Sequence, residues 1–416
     1  MSVPAELLEH AVHPNRLPDT EWLSQFRARN DGREPIMLGL GERWEGIPAA
    51  LVAALAEAPP SAHGYQLSMY GLPRLRTVLR DYIRDTHRLG GLDDRYELAV
   101  SWTGTRSVMR DFAELVAAQR GDGPPPLALA VAPSWDYAGV LEQAGFAMAY
   151  LTPGEGDGWL PTPDLIGSWR PDPGCRLGLV VINAQHNPTG LQWSAASVDA
   201  FIRLAAEHGA AVLIDDAYYG FIAPEAEPTS ALAQMVAASA AMDVPWVAVR
   251  SLGKQFNCNG WAIGAVTGPP GLLDDLVNDV RARHTYNHGA HLQSAMAHWL
   301  SDRPAVEEYL AAERTAYAVR RTTALDALTR CGVADIVAGP ANPYLLFPVA
   351  GDRRTFLRRA ATEVGVLLSD AWPAARRLGP HPGRHVRMYL GREPEDLAEA
   401  VDRLATAELL PVGVHR

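Results

Sequence analysis

The chain has 416 residues, 48% of them apolar, which is enough to bury the core of two closely packed domains. Its net charge of −11 and pI near 5.6 argue against a basic surface for nucleic acid or anionic lipid. No apolar run approaches the roughly 20 residues that span a bilayer, and the N-terminus lacks the order of a secretory signal, so we expect a cytoplasmic protein. Three cysteines in no metal-type spacing argue against a zinc site or a disulfide framework.

Short apolar runs alternate with segments of helical periodicity through the first two thirds of the chain. We predict strands over residues 97–102, 127–132, 177–183, 211–216 and 246–250, and helices over residues 107–118 and 196–208. This alternation indicates an α/β fold with a mainly parallel sheet of the seven-stranded type, covered by helices. Functional residues of such sheets lie at the carboxyl ends of the strands.

The last third of the chain has a different pattern. A long amphipathic helix is predicted over residues 305–329, followed by strands over 344–349, 364–369 and 385–390. We therefore expect a smaller α+β domain built from the N- and C-terminal segments. The predicted division is an N-terminal segment 1–47 that joins the small domain, a large cofactor-binding domain 48–300, and a connecting helix with the small domain over 301–416.

One lysine, Lys254, stands among the 37 Lys and Arg residues of the chain. It ends the motif Ser251-Leu252-Gly253-Lys254, directly after the predicted strand 246–250. A guanidinium stays protonated up to a pH of about 12, whereas a lysine amine can lose its proton and form an imine. The retention of an amine at this position therefore favours covalent chemistry with a carbonyl compound.

Two further polar motifs close predicted strands. Asp215-Asp216-Ala217-Tyr218 follows strand 211–216, and His186-Asn187-Pro188-Thr189-Gly190 follows strand 177–183. The first can be an ordinary acidic turn and the second an ordinary Pro-Gly turn. Taken alone, each motif leaves both interpretations open.

A glycine turn joins strand 97–102 to helix 107–118. It reads Thr103-Gly104-Thr105-Arg106, and a turn of this kind at a helix N-terminus offers backbone N–H donors to a phosphate. About thirty residues later, Pro133-Ser134-Trp135 follows the next strand. A tryptophan there can stack on a planar ligand or simply pack in the core.

Arg387 lies between apolar neighbours in the predicted strand 385–390. Its planar guanidinium can bind a carboxylate through two parallel hydrogen bonds. Arg384 and Arg392 are alternatives in the sequence, but strand alternation places them on another face or register.

Taken in order, these motifs resemble those of the fold-type I pyridoxal 5′-phosphate (PLP) enzymes, the class I/II or aspartate aminotransferase family. The resemblance extends from about Ile36 to about Ala405. It implies that Lys254 forms the Schiff base with PLP and acts as acid and base, and that Arg387 binds the substrate α-carboxylate. It also implies the cofactor-binding residues, which are Thr103, Gly104, Thr105 and Arg106 at the phosphate, Trp135 on the ring, Asn187 and Tyr218 at the phenolic oxygen, Asp215 at the pyridine nitrogen, and Ser251.

The chain departs from the family pattern at two places. Eight residues after the lysine the family usually has a phosphate-binding arginine, but this chain has Ala262. We expect Arg106 or Arg250 to neutralise the phosphate instead. The tyrosine that the family contributes across the dimer would be Tyr65, with Tyr70 as a substitute because the spacing to the next motif is one residue longer. This residue would make the active sites shared in a homodimer.

The resemblance implies an aminotransferase that moves the α-amino group between an L-amino acid and a 2-oxo acid. A PLP-dependent elimination, cyclisation or oxidase in specialised metabolism is the alternative, since the same residues serve these reactions. A PLP-binding regulator without catalysis is a more distant one, and the acidic pI disfavours it. Glu42 or Glu45 could pair with a basic substrate side chain, and Trp44 could pack on an apolar one.

Overall fold

The computed structural model describes residues 19–29, 33–118, 124–371 and 384–411. The strands in these residues are β1 Ile36–Met37, β2 Glu97–Ser101, β3 Leu127–Val131, β4 Ala147–Leu151, β5 Leu177–Ile182, β6 Ala211–Asp215, β7 Trp246–Ser251, β8 Gly264–Gly268, β9 Val337–Ala338, β10 Tyr344–Pro348, β11 Val366–Leu367, β12 Ser369–Asp370 and β13 His385–Tyr389. The α-helices are Asp19–Arg29, Ala49–Ala53, Pro73–Thr86, Thr105–Ala118, Ala138–Leu141, Pro163–Ser168, Ala195–Glu207, Ala231–Ala238, Leu252–Gln255, Pro270–Asp275, Ala290–Ser301, Arg303–Arg330, Arg353–Glu363 and Pro394–Thr406.

Seven strands form the central sheet, in the order β2-β8-β7-β6-β5-β3-β4. β8 is antiparallel to both of its neighbours, and the other pairs are parallel. β5 and β6 are buried along their whole length, as expected of strands covered by helices on both faces. The carboxyl ends of β2, β3, β5, β6 and β7 therefore meet at one edge of the sheet, where β8 begins.

Two smaller sheets lie in the C-terminal part. β12, β13, β10 and β9 form an antiparallel sheet in that order, and β1 pairs in parallel with β11. The N-terminal segment is tied to this part, because Leu38 donates to the Leu367 carbonyl at 2.7 Å and Tyr389 donates to the Leu38 carbonyl at 2.9 Å. These bonds support the predicted N-terminal segment of the small domain, and the domain boundaries stay a prediction.

The predicted α/β architecture with a seven-stranded, mainly parallel sheet is confirmed. The prediction of one strand over 364–369 is wrong: β11 and β12 are separate two-residue strands in different sheets. β4 and β8 were not predicted. β4 is a half-buried edge strand, and β8 begins and ends at glycine, so neither has the β-branched apolar pattern of a central strand. Among the helices of the described residues, none combines the length and apolarity needed to cross a membrane.

Candidate active site

Lys254 lies at the carboxyl edge of the central sheet. The Ser251 hydroxyl accepts a hydrogen bond from the Lys254 backbone N–H at 3.2 Å and so caps the short helix Leu252–Gln255. The Lys254 side chain is half-buried, and its Nζ donates to the Gly41 carbonyl at 2.8 Å. Asn259 Nδ2 donates to the same carbonyl at 3.2 Å. The amine is therefore held against the N-terminal segment, which covers this edge of the sheet.

Asp215 is a buried acceptor at the end of β6. Its Oδ2 accepts from the Tyr137 hydroxyl at 2.7 Å, and its Oδ1 accepts from the Ala217 backbone N–H at 3.1 Å. Burial raises the pKa of the Asp215 carboxyl, and the hydrogen bonds from Tyr137 and Ala217 oppose that rise. A carboxylate held in this way can pair with a protonated ring nitrogen. Tyr137 lies two residues after Trp135 and could not be recognised from the sequence, because it belongs to none of the motifs.

Asn187 and Arg387 come together although 200 positions separate them. Arg387 Nη1 donates to Asn187 Oδ1 at 2.8 Å, Nη2 donates to the Gly39 carbonyl at 3.0 Å, and Nε donates to Ser369 Oγ at 2.9 Å. The guanidinium also lies 4.2 Å from the centre of the Tyr344 ring. Its plane is thus fixed by three hydrogen-bond acceptors and one aromatic ring, an orientation suited to bidentate carboxylate binding.

Tyr218 is buried and its hydroxyl lies 2.7 Å from the Tyr344 hydroxyl. Burial raises the pKa of Tyr218 well above its usual value, so the hydroxyl keeps its proton and can act as a hydrogen-bond donor. Sequence reasoning missed Tyr344, which the strand pattern presents as one more core residue of β10.

The glycine turn lies directly beside Ala262. Gly104 has φ +80° and donates its backbone N–H to the Ala262 carbonyl at 2.8 Å, and the Ser101 hydroxyl donates to the Gly104 carbonyl at 2.8 Å. The helix Thr105–Ala118 begins at the next residue, so its N-terminal N–H groups face this turn. The position that lacks the expected arginine is therefore adjacent to the predicted phosphate-binding turn.

Arg106 and Trp135 form a second cluster at the same edge. The Arg106 guanidinium lies 5.0 Å from the centre of the Trp135 ring, and its Nη2 is 2.7 Å from Asp136 Oδ2. The Trp135 ring meets the Tyr137 ring edge-on at 5.3 Å. Because Tyr137 bonds Asp215, this packing places the predicted stacking residue beside the predicted partner of the ring nitrogen.

Arg250 is enclosed elsewhere. Its guanidinium lies 5.0 Å from the ring centres of both Tyr82 and Tyr219, and its Nη1 is 3.1 Å from His87 Nε2. Nε donates to Gln255 Oε1 at 3.2 Å. These contacts commit Arg250 to a buried cluster of its own. Arg106 belongs to the glycine turn by its position in the sequence, and its binding to the phosphate stays a prediction.

The two candidate cross-subunit tyrosines have different surroundings. The Tyr70 hydroxyl donates to Asp274 at 2.6 Å within the same chain, and its ring carries the Arg76 guanidinium at 4.5 Å. Tyr65 is 87% exposed and its ring touches that of Tyr286, which is itself 63% exposed.

The arrangement fits a phosphorylated pyridine aldehyde. It supplies an amine, a buried carboxylate with two donors, an aromatic ring, two phenolic or amide groups, and a glycine turn at a helix N-terminus. A continuous series of hydrogen bonds and ring contacts joins these motifs, running through Arg387, Asn187, Asn183, Asp215, Tyr137, Trp135 and Arg106. Lys254 lies outside this series and belongs to the same edge of the sheet because it follows β7.

Comparison with known proteins gives one consistent result. A sequence model of the family described as aminotransferase class I and II matches residues 36–404. The chain is 25% identical over 380 residues to the aspartate/prephenate aminotransferase of Thermus thermophilus, covering 91% of this chain and 92% of that protein. It is 28% identical to the 4-dedimethylamino-4-oxo-anhydrotetracycline transaminase of Streptomyces rimosus, with coverages of 89% and 92%. The solved structure of Thermus thermophilus aspartate aminotransferase with maleate superposes with a TM-score of 0.77 at 23% identity, over 96% of this chain and 98% of that one.

Proposed function

The chain belongs to the aminotransferase class I and II family, and on this premise we propose how its residues divide the work of transamination. It is a PLP-dependent aminotransferase, an enzyme of amino-acid metabolism. When bound, PLP supplies an aldehyde that captures amines and a ring that withdraws electrons from the substrate Cα. The residues that hold the cofactor and the substrate are the proposal.

One observation carries the proposal: Lys254 and Arg387 act on the same short segment. Lys254 Nζ donates to the Gly41 carbonyl, and Arg387 Nη2 donates to the Gly39 carbonyl. The Cα atoms of residues two apart lie at most about 7 Å from each other. The amine and the guanidinium are thus held near one another by the same segment, and we infer that an amino acid presents its α-amino group to one and its α-carboxylate to the other.

In this proposal the Lys254 amine would hold the cofactor through its aldehyde group, and Nζ, when free, would serve as the base and acid that moves the proton of the substrate Cα. Asp215 keeps the proton on the ring nitrogen. Tyr218 and Asn187 share the phenolic oxygen, with the Asn187 amide oriented by Arg387. Trp135 stacks on the ring.

Thr103, Gly104, Thr105 and Arg106 receive the phosphate at the start of a helix, and Ser251 caps the helix that carries the lysine. Arg387 binds the α-carboxylate. The substrates are an L-amino acid and a 2-oxo acid, as the names of the curated relatives suggest. Glu45 lies 4.0 Å from Arg392 and Trp44 is 40% exposed, so Trp44 is the freer of these two for a substrate side chain.

We further propose a cytoplasmic homodimer with shared active sites. Tyr65, Leu67 and Tyr286 are large apolar residues exposed close together in the chain's surface, with Leu67 exposed as fully as in an extended peptide. Exposed apolar groups of this kind mark protein interfaces. Tyr65, free of contacts such as those that hold Tyr70, is the residue we assign to the partner's phosphate.

A single-turnover absorbance experiment tests the function. Holoenzyme is mixed with a panel of L-amino acids, and the proposal requires conversion of the cofactor to its amine form with release of the matching 2-oxo acid, followed by reversal when a 2-oxo acid is added. Ammonia release or oxygen uptake would instead support an elimination or an oxidase. Inertness toward the whole panel would support a binding protein.

A further inference from the structure

Ala262 leaves the phosphate site without its usual neighbouring cation. An added Cβ at Gly104 would lie 3.9 Å from the Ala262 Cβ, so this methyl group stands where a longer cationic side chain would reach the turn. Arg106 is at the turn, but its side chain is 52% exposed and is paired with Asp136. Water and this carboxylate screen much of its charge. A buried cation at the turn would stabilise a phosphate more strongly than the partly exposed Arg106 does.

Arg281 is such a cation. It begins the 3-10 turn Arg281–Arg283 and is fully buried. Its Nη2 donates to Thr103 Oγ1 at 2.9 Å, and its guanidinium lies 4.4 Å from the centre of the Trp102 ring. Both contacts are with the residues that lead into the glycine turn. Arg281 therefore touches the predicted phosphate site from behind.

The hydrogen bonding of Arg281 within the described residues is incomplete. Nε lies 3.2 Å from Asp111 Oδ2, while Nη1 is buried and finds no hydrogen-bond partner among the described residues. Asp111 Oδ1 also lies 3.3 Å from His284 Nε2. Burying a guanidinium is energetically unfavourable unless charges and hydrogen bonds offset the loss of hydration. A phosphate at the turn would add a second negative charge to the surroundings of this guanidinium, whose hydrogen bonding Asp111 leaves incomplete.

The Thr103 hydroxyl connects the Arg281 guanidinium to the predicted phosphate site. Its oxygen accepts from Arg281 and lies 2.5 Å from Ser107 Oγ. The Ser107 hydroxyl has its own acceptors, the carbonyls of Thr103 and Gly104 at 3.1 and 2.9 Å. The Thr103 proton is therefore available either to Ser107 or to a phosphate oxygen at the turn, and the bond from Arg281 makes that hydroxyl a stronger donor.

We propose that Arg281 supplies the positive charge at the cofactor phosphate that the family's usual arginine at position 262 would supply. It acts through the Thr103 hydroxyl and through its own buried charge. Arg281 is thus a positioning residue for the phosphate. The inference rests on the proposed function, because it requires PLP to occupy this edge of the sheet. It also explains how the chain dispenses with the arginine that its family usually has at position 262.

Titration of the apoprotein with PLP and with pyridoxal, which lacks the phosphate, tests the inference through cofactor affinity. Arg281→Met should weaken PLP affinity about 10- to 100-fold, the effect of losing one charge-assisted interaction, and change pyridoxal affinity less than about twofold. Arg403→Met is the matched control: Arg403 is a buried arginine that bonds Glu399 and the carbonyl of Glu34. It should leave the ratio of the two affinities unchanged.

A second variant keeps the test decisive if Arg281→Met fails to fold. Thr103→Val preserves side-chain shape, removes the connecting hydroxyl, and should weaken PLP affinity about 3- to 10-fold without affecting pyridoxal. Equal losses for both ligands, or no loss for PLP, would overturn the role of Arg281. Absence of any Lys254-dependent absorbance band in the unaltered protein would overturn the proposed function and this inference together.

Discussion

Arg387 Nη1 lies 2.8 Å from Asn187 Oδ1, so the guanidinium proposed to bind the substrate carboxylate is bonded to the amide proposed to hold the cofactor's phenolic oxygen. Asn187 is fixed in turn by its backbone N–H, which donates to Asn183 Oδ1 at 2.9 Å. Asn183 Nδ2 donates to the Asp215 carbonyl at 2.7 Å. Substrate and cofactor positions are thus set by one hydrogen-bonded unit.

Replacing Arg387 with lysine should lower kcat/KM for α-amino acids by about 100-fold or more. A lysine keeps the charge but loses the planar pair of donors and the bonds to Asn187 and Ser369. Steady-state kinetics measure the change. Arg392→Lys is the matched control, since Arg392 pairs with Asp396 at 2.8 Å. A larger loss in that control than in Arg387→Lys would show that the carboxylate-binding residue has been misassigned.

Removing the Tyr137 hydroxyl should shift the pH dependence of catalysis. The hydrogen bond from Tyr137 lowers the pKa of the Asp215 carboxyl against the effect of burial, so Tyr137→Phe should raise that pKa. The ring nitrogen requires an ionised partner, and the acidic limb of the kcat/KM profile should therefore move to higher pH. Tyr96→Phe, whose hydroxyl bonds Asp93, serves as the control. If the acidic limb of the kcat/KM profile stays at the same pH in Tyr137→Phe, turnover does not depend on the ionisation of Asp215.

His186 should make the fold sensitive to acid. Burial lowers its pKa from about 6.5 to about 4, so the unfolded chain takes up a proton that the folded chain does not. The resulting stability is complete above pH 6.5 and is lost as the pH falls toward 4, by about 3 kcal/mol in total. Urea unfolding gives the free energy of unfolding of the unaltered protein and of His186→Gln. The difference between the two should fall by that amount as the pH is lowered from 6.5 to 4.

The comparison of the two proteins isolates His186 from other titrating groups. Asp216, whose pKa burial raises to about 7, is present in both and its contribution cancels from the difference. A difference between the two proteins that stays constant from pH 7 to pH 4 would contradict the assignment of a neutral His186 to the folded state.

Hybrid dimers test whether Tyr65 crosses to the partner subunit. Tyr65→Phe alone should weaken PLP affinity about 5- to 10-fold, the effect of one hydrogen bond to a phosphate. In a hybrid with a Lys254→Ala subunit, the site that keeps its lysine receives an intact Tyr65 from the other chain. Half of the sites should then bind PLP with full affinity. If these hybrids keep the weakened affinity, and the same experiment with Tyr70→Phe in place of Tyr65→Phe gives half of the sites full affinity, the role belongs to Tyr70.

The strand-end motifs could be predicted from the sequence because their order along the chain and the parallel topology together determine where they meet. Asp215 ends a buried apolar strand, Lys254 and Asn187 each follow one, and parallel strands present their carboxyl ends at one edge. Arg387 could be predicted for a similar reason, since strand alternation gives each residue its face.

Other parts of the site depend on packing between distant segments and leave no local pattern. Arg281 and Thr103 are 178 positions apart, and nothing in either segment's periodicity indicates their hydrogen bond. Tyr344 acquires its place through the pairing of β10 with β13, which also carries Arg387. The short strands β11 and β12 were missed as separate elements because two residues are too few to show a periodicity.

Borohydride reduction of the holoenzyme tests the central claim most directly. Digestion with trypsin should then yield the peptide 251–281, uncut at Lys254 and heavier by the mass of the reduced cofactor. Lys254→Arg, which keeps a cation but cannot form an imine, should yield no adduct and no turnover. If holoenzyme that was active before reduction gave no modified peptide, or if Lys254→Arg kept full turnover, the account would be contradicted.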